Sequence, residues 1–210
     1  MNSKTTALIV ISAVVLVGIY FTMFGSKEGS SLTNFSSQNG KVVVAFGDSL
    51  SRQDGQSVLT FPNYLSKLTN SDVQDLTVAG ETTVSAIARL ETATALNPNY
   101  VLVTLGTEDL NKQIDLKETI DNLATIFSSL QATGAAVVYL SVVPPMVGDN
   151  WEMAVKDVVK AHGVLWVDDI MVDVWDKPEL LNEILLPNDK GHEVIAARIQ
   201  DVLAKHTDLY

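Results

Sequence analysis

The chain contains no cysteine. That excludes disulfide scaffolds, thiolate zinc sites, cysteine nucleophiles and anchoring through a lipid-modified cysteine. Histidine is scarce, with only His162, His192 and His206, so any histidine-based chemistry has three candidates. Basic residues are outnumbered: 14 Lys+Arg stand against 25 Asp+Glu, for a net charge of -11. Neutralising phosphates needs clustered Lys and Arg, and none cluster here, so the chain is not a general nucleic-acid binder. What is abundant is apolar: 47% of the 210 residues are hydrophobic, ample for a core and too many for disorder.

Charge is also missing from one end. Lys4 is the only charged side chain before Lys27, and every acidic residue lies from Glu28 onward. The stretch ALIVISAVVLVGIYFTMF, Ala7 to Phe24, would span about 27–30 Å as a helix, the hydrocarbon thickness of a bilayer. Cuts after Gly25 or Ser26 would put Met23 or Phe24 where a signal peptidase needs a small residue. Residues 1–26 therefore read as an uncleaved signal anchor, a single transmembrane pass, with removal as an atypical signal peptide as the alternative. Lys4 and the free amine place the N-terminus inside, and so the remainder on the extracytoplasmic side; Lys27 on the other flank opposes this. Residues 27–40, KEGSSLTNFSSQNG, are rich in Gly, Ser and Asn and lack periodicity, as a flexible linker does. Residues 41–210 fit one domain.

Within that domain apolar runs alternate with helical patterns. VVVAF (Val42 to Phe46), DLTVA (Asp75 to Ala79), YVLVTL (Tyr100 to Leu105), AVVYLSVV (Ala136 to Val143) and VLWV (Val164 to Val167) read as strands. Helices are expected at Phe61 to Leu68, Val84 to Leu96, Leu116 to Gln131, Trp151 to Ala161 and Glu193 to Ala204. Such alternation predicts an α/β fold: a five-stranded parallel sheet with helices on both faces, in a flavodoxin-like order. In that architecture a site forms outside the carboxyl ends of the strands.

Those ends carry Gly47-Asp48-Ser49-Leu50-Ser51, Ala79-Gly80-Glu81-Thr82 and Gly106-Thr107-Glu108-Asp109-Leu110. A serine there can serve as a nucleophile if a base takes its proton and backbone NH groups receive the oxyanion. Equally, Ser and Asp after a strand cap helices, and glycines there permit turns. The chain has neither the G-x-S-x-G elbow of α/β-hydrolases nor a phosphate-binding G-x-x-x-x-G-K-[ST] loop. A third reading gathers Asp48, Glu108, Asp109 and Asp168 into a divalent metal site, although the D-x-D of phosphatases is missing after the first strand.

AFGDSLS (Ala45 to Ser51) resembles the first block of the SGNH, or GDSL, hydrolases. VAGETT (Val78 to Thr83), LGTEDLN (Leu105 to Asn111) and LPNDKGHEVIA (Leu186 to Ala196) are similar to the family's remaining blocks, in family order and spacing. The likeness is greatest to the small single-domain lysophospholipase, thioesterase and arylesterase branch. It implies the SGNH hydrolase fold, serine hydrolysis of acyl or acetyl esters, no cofactor and no metal. It also implies that Ser49 is the nucleophile and that the Ser49 and Gly80 NH groups belong to the oxyanion hole. The partners expected are a small-molecule or lipid ester and, through the N-terminal helix, the membrane; oligomeric state is not specified.

Two blocks depart from the pattern. Glu108 stands where the family has an oxyanion-binding asparagine, and an ionised carboxylate repels an oxyanion. Aligned on the shared P-N-x-x-G-H, Glu183 falls at the family's catalytic aspartate and Leu186 at its catalytic histidine. Asp189-Lys190-Gly191-His192 is a literal D-x-x-H that would make His192 the base and Asp189 its orienter. The competing expectation is that Asp189 is the N-cap of the last helix with His192 in its first turn. Two functions thus remain: a membrane-tethered serine esterase, or a degenerate SGNH domain that binds a ligand or partner.

Overall fold

The computed structural model describes residues 42–50, 59–144, 149–182 and 185–206. The expected anchor at 1–26 and linker at 27–40 lie outside the described residues, as do Ser51, Glu183 and Ile184. Among the described residues no helix is long and apolar enough to cross a membrane.

Five strands form the sheet: β1 (Val43–Asp48), β2 (Val73–Val78), β3 (Tyr100–Thr104), β4 (Ala136–Leu140) and β5 (Leu165–Val167). Their order is β2-β1-β3-β4-β5, and each neighbouring pair is parallel. β1, β3 and β4 are buried along their whole length, which is why their sequences show no polar alternation. β2 lies at one edge and mixes apolar with polar residues.

Two cores cover the sheet. Val43, Ala45, Leu102, Val138 and Leu165 point to one face, where α1 (Phe61–Thr69) packs on α7 (Asp189–His206) through Phe61, Leu65, Ile195 and Ile199. Val44, Phe46, Val101, Val103, Val137 and Tyr139 point to the other, against α5 (Leu116–Gln131) and α6 (Asp149–Ala161). Alternate residues of one strand thus enter opposite cores, as the pleat requires.

Beyond shifts of two or three residues at the ends of β2, β4 and α6, three elements differ from the expectation. The helix expected over Val84–Leu96 is two short ones, α2 (Thr83–Ile87) and α3 (Leu90–Thr94), separated at Arg89. Arg89 leaves helical geometry, with φ -123° and ψ 14°, and its guanidinium reaches Glu81 and the Leu76 carbonyl. A five-residue helix, α4 (Thr107–Asn111), follows β3 within the third block. α7 begins at Asp189, four residues earlier than expected.

Candidate active site

The site is built at the carboxyl end of β1, β2 and β3. Gly47 is required by close packing: it has φ +119°, and a Cβ there would sit 2.2 Å from the Thr104 carbonyl oxygen of β3. One residue later, Asp48 is buried and its Oδ1 accepts two backbone NH groups, from Gly80 at 3.0 Å and Leu50 at 3.3 Å. This carboxylate ties the first loop to the second. Burial pushes Asp48 up to about 6; the Gly80 and Leu50 NH groups pull it back, while Glu108 and Glu81 push it further. Ser49 is buried beside it, 4% exposed. Leu50 has φ +55°, a left-handed conformation that a leucine rarely adopts.

The second loop is anchored from below. Glu81, 4% exposed, forms a two-pronged ion pair with Arg89, whose guanidinium also lies 4.5 Å over the Phe46 ring. The third loop is tied to the second by Asp109, which is fully buried and accepts from the Thr83 NH at 2.9 Å, the Thr83 hydroxyl, and the Thr119 hydroxyl at 3.3 Å. Lys112 closes the arrangement. Its Nζ donates to the Gly80 carbonyl at 2.8 Å and lies 3.9 Å from Glu108 Oε2, while Glu108 Oε1 accepts from Asn111 at 2.9 Å. Ser49, Gly80 and Glu108 therefore meet on contiguous loops, through Asp48 and Lys112.

The last block is placed differently from the D-x-x-H expectation. His192 is 0% exposed on α7, and neither ring nitrogen has a hydrogen-bond partner. It is bonded neither to the Ser49 hydroxyl nor to Asp189, which is exposed at the first position of the helix. Burial lowers the His192 pKa to about 4, with Asp189 and Asp75 raising it in part. The physical reason is helical spacing: His192 precedes Ile195 by three and Ile199 by seven, which puts it on the core-facing side. The helix cap is Asn188, not Asp189. Asn188 Oδ1 accepts from the Lys190 and Gly191 NH groups, and its Nδ2 donates to the Glu179 and Leu181 carbonyls.

Leu186 is half-buried in the loop leading into α7, its NH and carbonyl both bonded to Asn182. The other histidines serve elsewhere: His162 Nδ1 lies 2.8 Å from the Val158 carbonyl oxygen, and His206 is exposed at the end of α7. The metal reading also fails in detail. The Asp109 carboxylate is taken up by threonines, Asp168 sits on Trp166 Nε1 at 3.3 Å, and no group of three ligating side chains converges among the described residues. Sequence reasoning passed over Lys112 and the Glu81–Arg89 pair; it singled out Asp48 in the first block and as a candidate metal ligand, not as the acceptor that ties the first two loops together.

Residues 45–194 match the model of the GDSL-like lipase/acylhydrolase family. The chain belongs to that family. A similar relative is an arylesterase of Vibrio mimicus, 27% identical over 184 residues, covering 81% of this chain and 92% of the relative. Among solved structures, the psychrotrophic esterase EstA from Pseudoalteromonas sp. superposes with a TM-score of 0.69 at 23% identity, over 79% of this chain and 97% of EstA. TesA gives 0.68 at 19%, over 79% and 99%. AlinE4, an SGNH-hydrolase family esterase, gives 0.61 at 23%, over 81% and 98%. At these identities the structures establish the shared fold, and the GDSL-like family assignment rests on the family model.

Proposed function

We propose that this GDSL-like domain is a ligand- or partner-binding module descended from a serine esterase, with little or no ester turnover. One observation carries the reading: no histidine is bonded to Ser49, because His192 lies in the core with both nitrogens unpartnered and His162 and His206 lie elsewhere. Without a histidine to take its proton, a serine hydroxyl is a poor nucleophile near neutral pH. Two departures add to it. Leu186 cannot accept a proton, and Glu108 opposes the oxyanion that attack would create.

The proposed setting is a membrane surface, with the apolar segment 7–24 as a single-pass anchor and the domain on the extracytoplasmic side. The test of function is hydrolysis of short p-nitrophenyl esters by the purified protein. Activity indistinguishable from that of Ser49→Ala is the expected result. Ser49-dependent turnover would establish the other reading, an arylesterase-like hydrolase of acyl esters. That reading is favoured by the Vibrio mimicus arylesterase, which shares 27% identity over most of both chains.

A further inference from the structure

We infer that Asp48 and Gly80 form a proton-operated clamp, in which the Asp48 carboxylate occupies the Gly80 NH and proton uptake frees that NH for an anionic or oxyanionic ligand. The contact is direct: Gly80 N donates to Asp48 Oδ1 at 3.0 Å, the carboxylate buried and Gly80 half-buried. The same oxygen holds the Leu50 NH at 3.3 Å, keeping Leu50 in its left-handed conformation at φ +55°. On the opposite side of the Gly80 residue, Lys112 Nζ holds the carbonyl at 2.8 Å. Both polar groups of Gly80 are thus engaged by side chains from the first and third loops.

A carboxylate is the strong form of this acceptor. Hydrogen bonds to an ionised oxygen are roughly twice as strong as neutral ones, so protonation loosens the Gly80 and Leu50 contacts together. The surroundings set where this happens. Burial disfavours the charge, Glu108 on the third loop and Glu81 on the second add to that, and the two NH groups oppose it, placing the transition at about 6. Arg89 pairs with Glu81, and Lys112 lies between Gly80 and Glu108, so both acidic neighbours have a cation beside them. Releasing Leu50 also relieves a left-handed backbone conformation that L-residues disfavour.

The inference rests on Gly80 being the oxyanion donor of the family's second block, and its readout does not involve turnover. Ester cleavage by the unmodified protein would sink the non-catalytic reading and leave the clamp standing. The experiment follows the Gly80 and Leu50 amide resonances of the full chain in detergent micelles between pH 4.5 and 8. Both amides should move with one shared midpoint near 6. In Asp48→Asn the transition should vanish, and in Glu108→Gln it should persist with a lower midpoint. Sulfate, as a probe anion, should shift the Gly80 amide at pH 5 and leave it in place at pH 8. A Gly80 amide that does not titrate, that titrates unchanged in Glu108→Gln, or that responds to sulfate equally at both pH values overturns the clamp. Glu108→Gln keeps the test decisive should Asp48→Asn not fold.

Discussion

Gly191 lies against the carbonyl of Leu180, so closely that a Cβ at this position would come within 2.3 Å of the oxygen and 3.0 Å of the Pro187 Cβ. The contact explains why the last block needs its glycine without invoking catalysis. The segment through Leu180 and Leu181 is strapped onto the start of α7, with Asn188 NH on the Leu180 carbonyl and the Asn188 amide on Glu179 and Leu181. Gly191→Ala should therefore destabilise the protein, although alanine is the better helix former by about 1 kcal/mol. Backbone displacement of this kind typically costs about 1–3 kcal/mol. Urea denaturation would measure it; an Ala variant as stable as the parent would show that the Leu180 segment yields freely.

A second prediction concerns the Glu81–Arg89 pair beneath the Gly80 loop. Glu81 is 4% exposed, so Arg89→Met strands a buried carboxylate. Breaking one partner of such a pair costs about 3–5 kcal/mol, whereas replacing both is far milder. Glu81→Gln with Arg89→Met should recover at least half of the stability lost in Arg89→Met alone. Additive losses in this double-mutant cycle would mean that the pair is no more than a surface contact.

Much of the scaffold was legible in the sequence, and the reason is periodicity. Strands such as VVAF (Val43–Phe46) and YVLVT are buried on both faces, so their uninterrupted apolar runs signal a parallel sheet directly. The break at Arg89 was not legible, because its cause is a tertiary contact to Glu81 eight residues earlier, which outweighs helical propensity. α4 was missed because five residues carry too little periodicity to register. At the site, Ser49 and Gly80 followed from the motif blocks, but the role of Lys112 did not, since an exposed lysine between two loops has no sequence signature. His192 was ambiguous between a base and a first-turn residue of the last helix; that its ring is buried emerged only from the fold.

A third prediction follows from two groups displaced in opposite senses. His192 titrates at about 4 in the folded protein against an ordinary 6.5. Between these values the unfolded chain binds the proton and the folded one does not, so stability present above 6.5 is lost as the pH falls toward 4. Asp48 is the reverse: folded, it titrates at about 6 against 3.8, so stability is gained as the pH falls from 6 toward 3.8. Each displacement corresponds to about 3 kcal/mol, so the two nearly cancel between pH 4 and 6. Single variants uncover the imbalance. Relative to the parent, His192→Leu should become more favourable on acidification, and Asp48→Asn less favourable. Denaturation curves at pH 4.5, 5.5 and 7 that stay parallel across all three proteins would refute the assignment.

The fourth prediction asks what restoring the family residues would do. Leu186→His alone should raise p-nitrophenyl ester hydrolysis little, because on the proposed reading the Glu108 carboxylate opposes the developing oxyanion. Glu108→Asn alone should also do little, because His192 remains in the core with neither ring nitrogen bonded to Ser49. Losing a single oxyanion donor typically costs about 10²–10³ in rate, and a negative charge in its place costs more. The double variant Leu186→His/Glu108→Asn should therefore exceed the product of the two single gains, since members of one catalytic unit are strongly non-additive. Adding Ser49→Ala should abolish whatever activity appears. The opposite pattern is equally informative: if the unmodified protein cleaves esters in a Ser49-dependent manner and His192→Ala abolishes this, His192 must leave its core position to reach Ser49. The D-x-x-H at 189–192 would then be the working dyad, and Leu186 would be a loop residue without consequence for turnover.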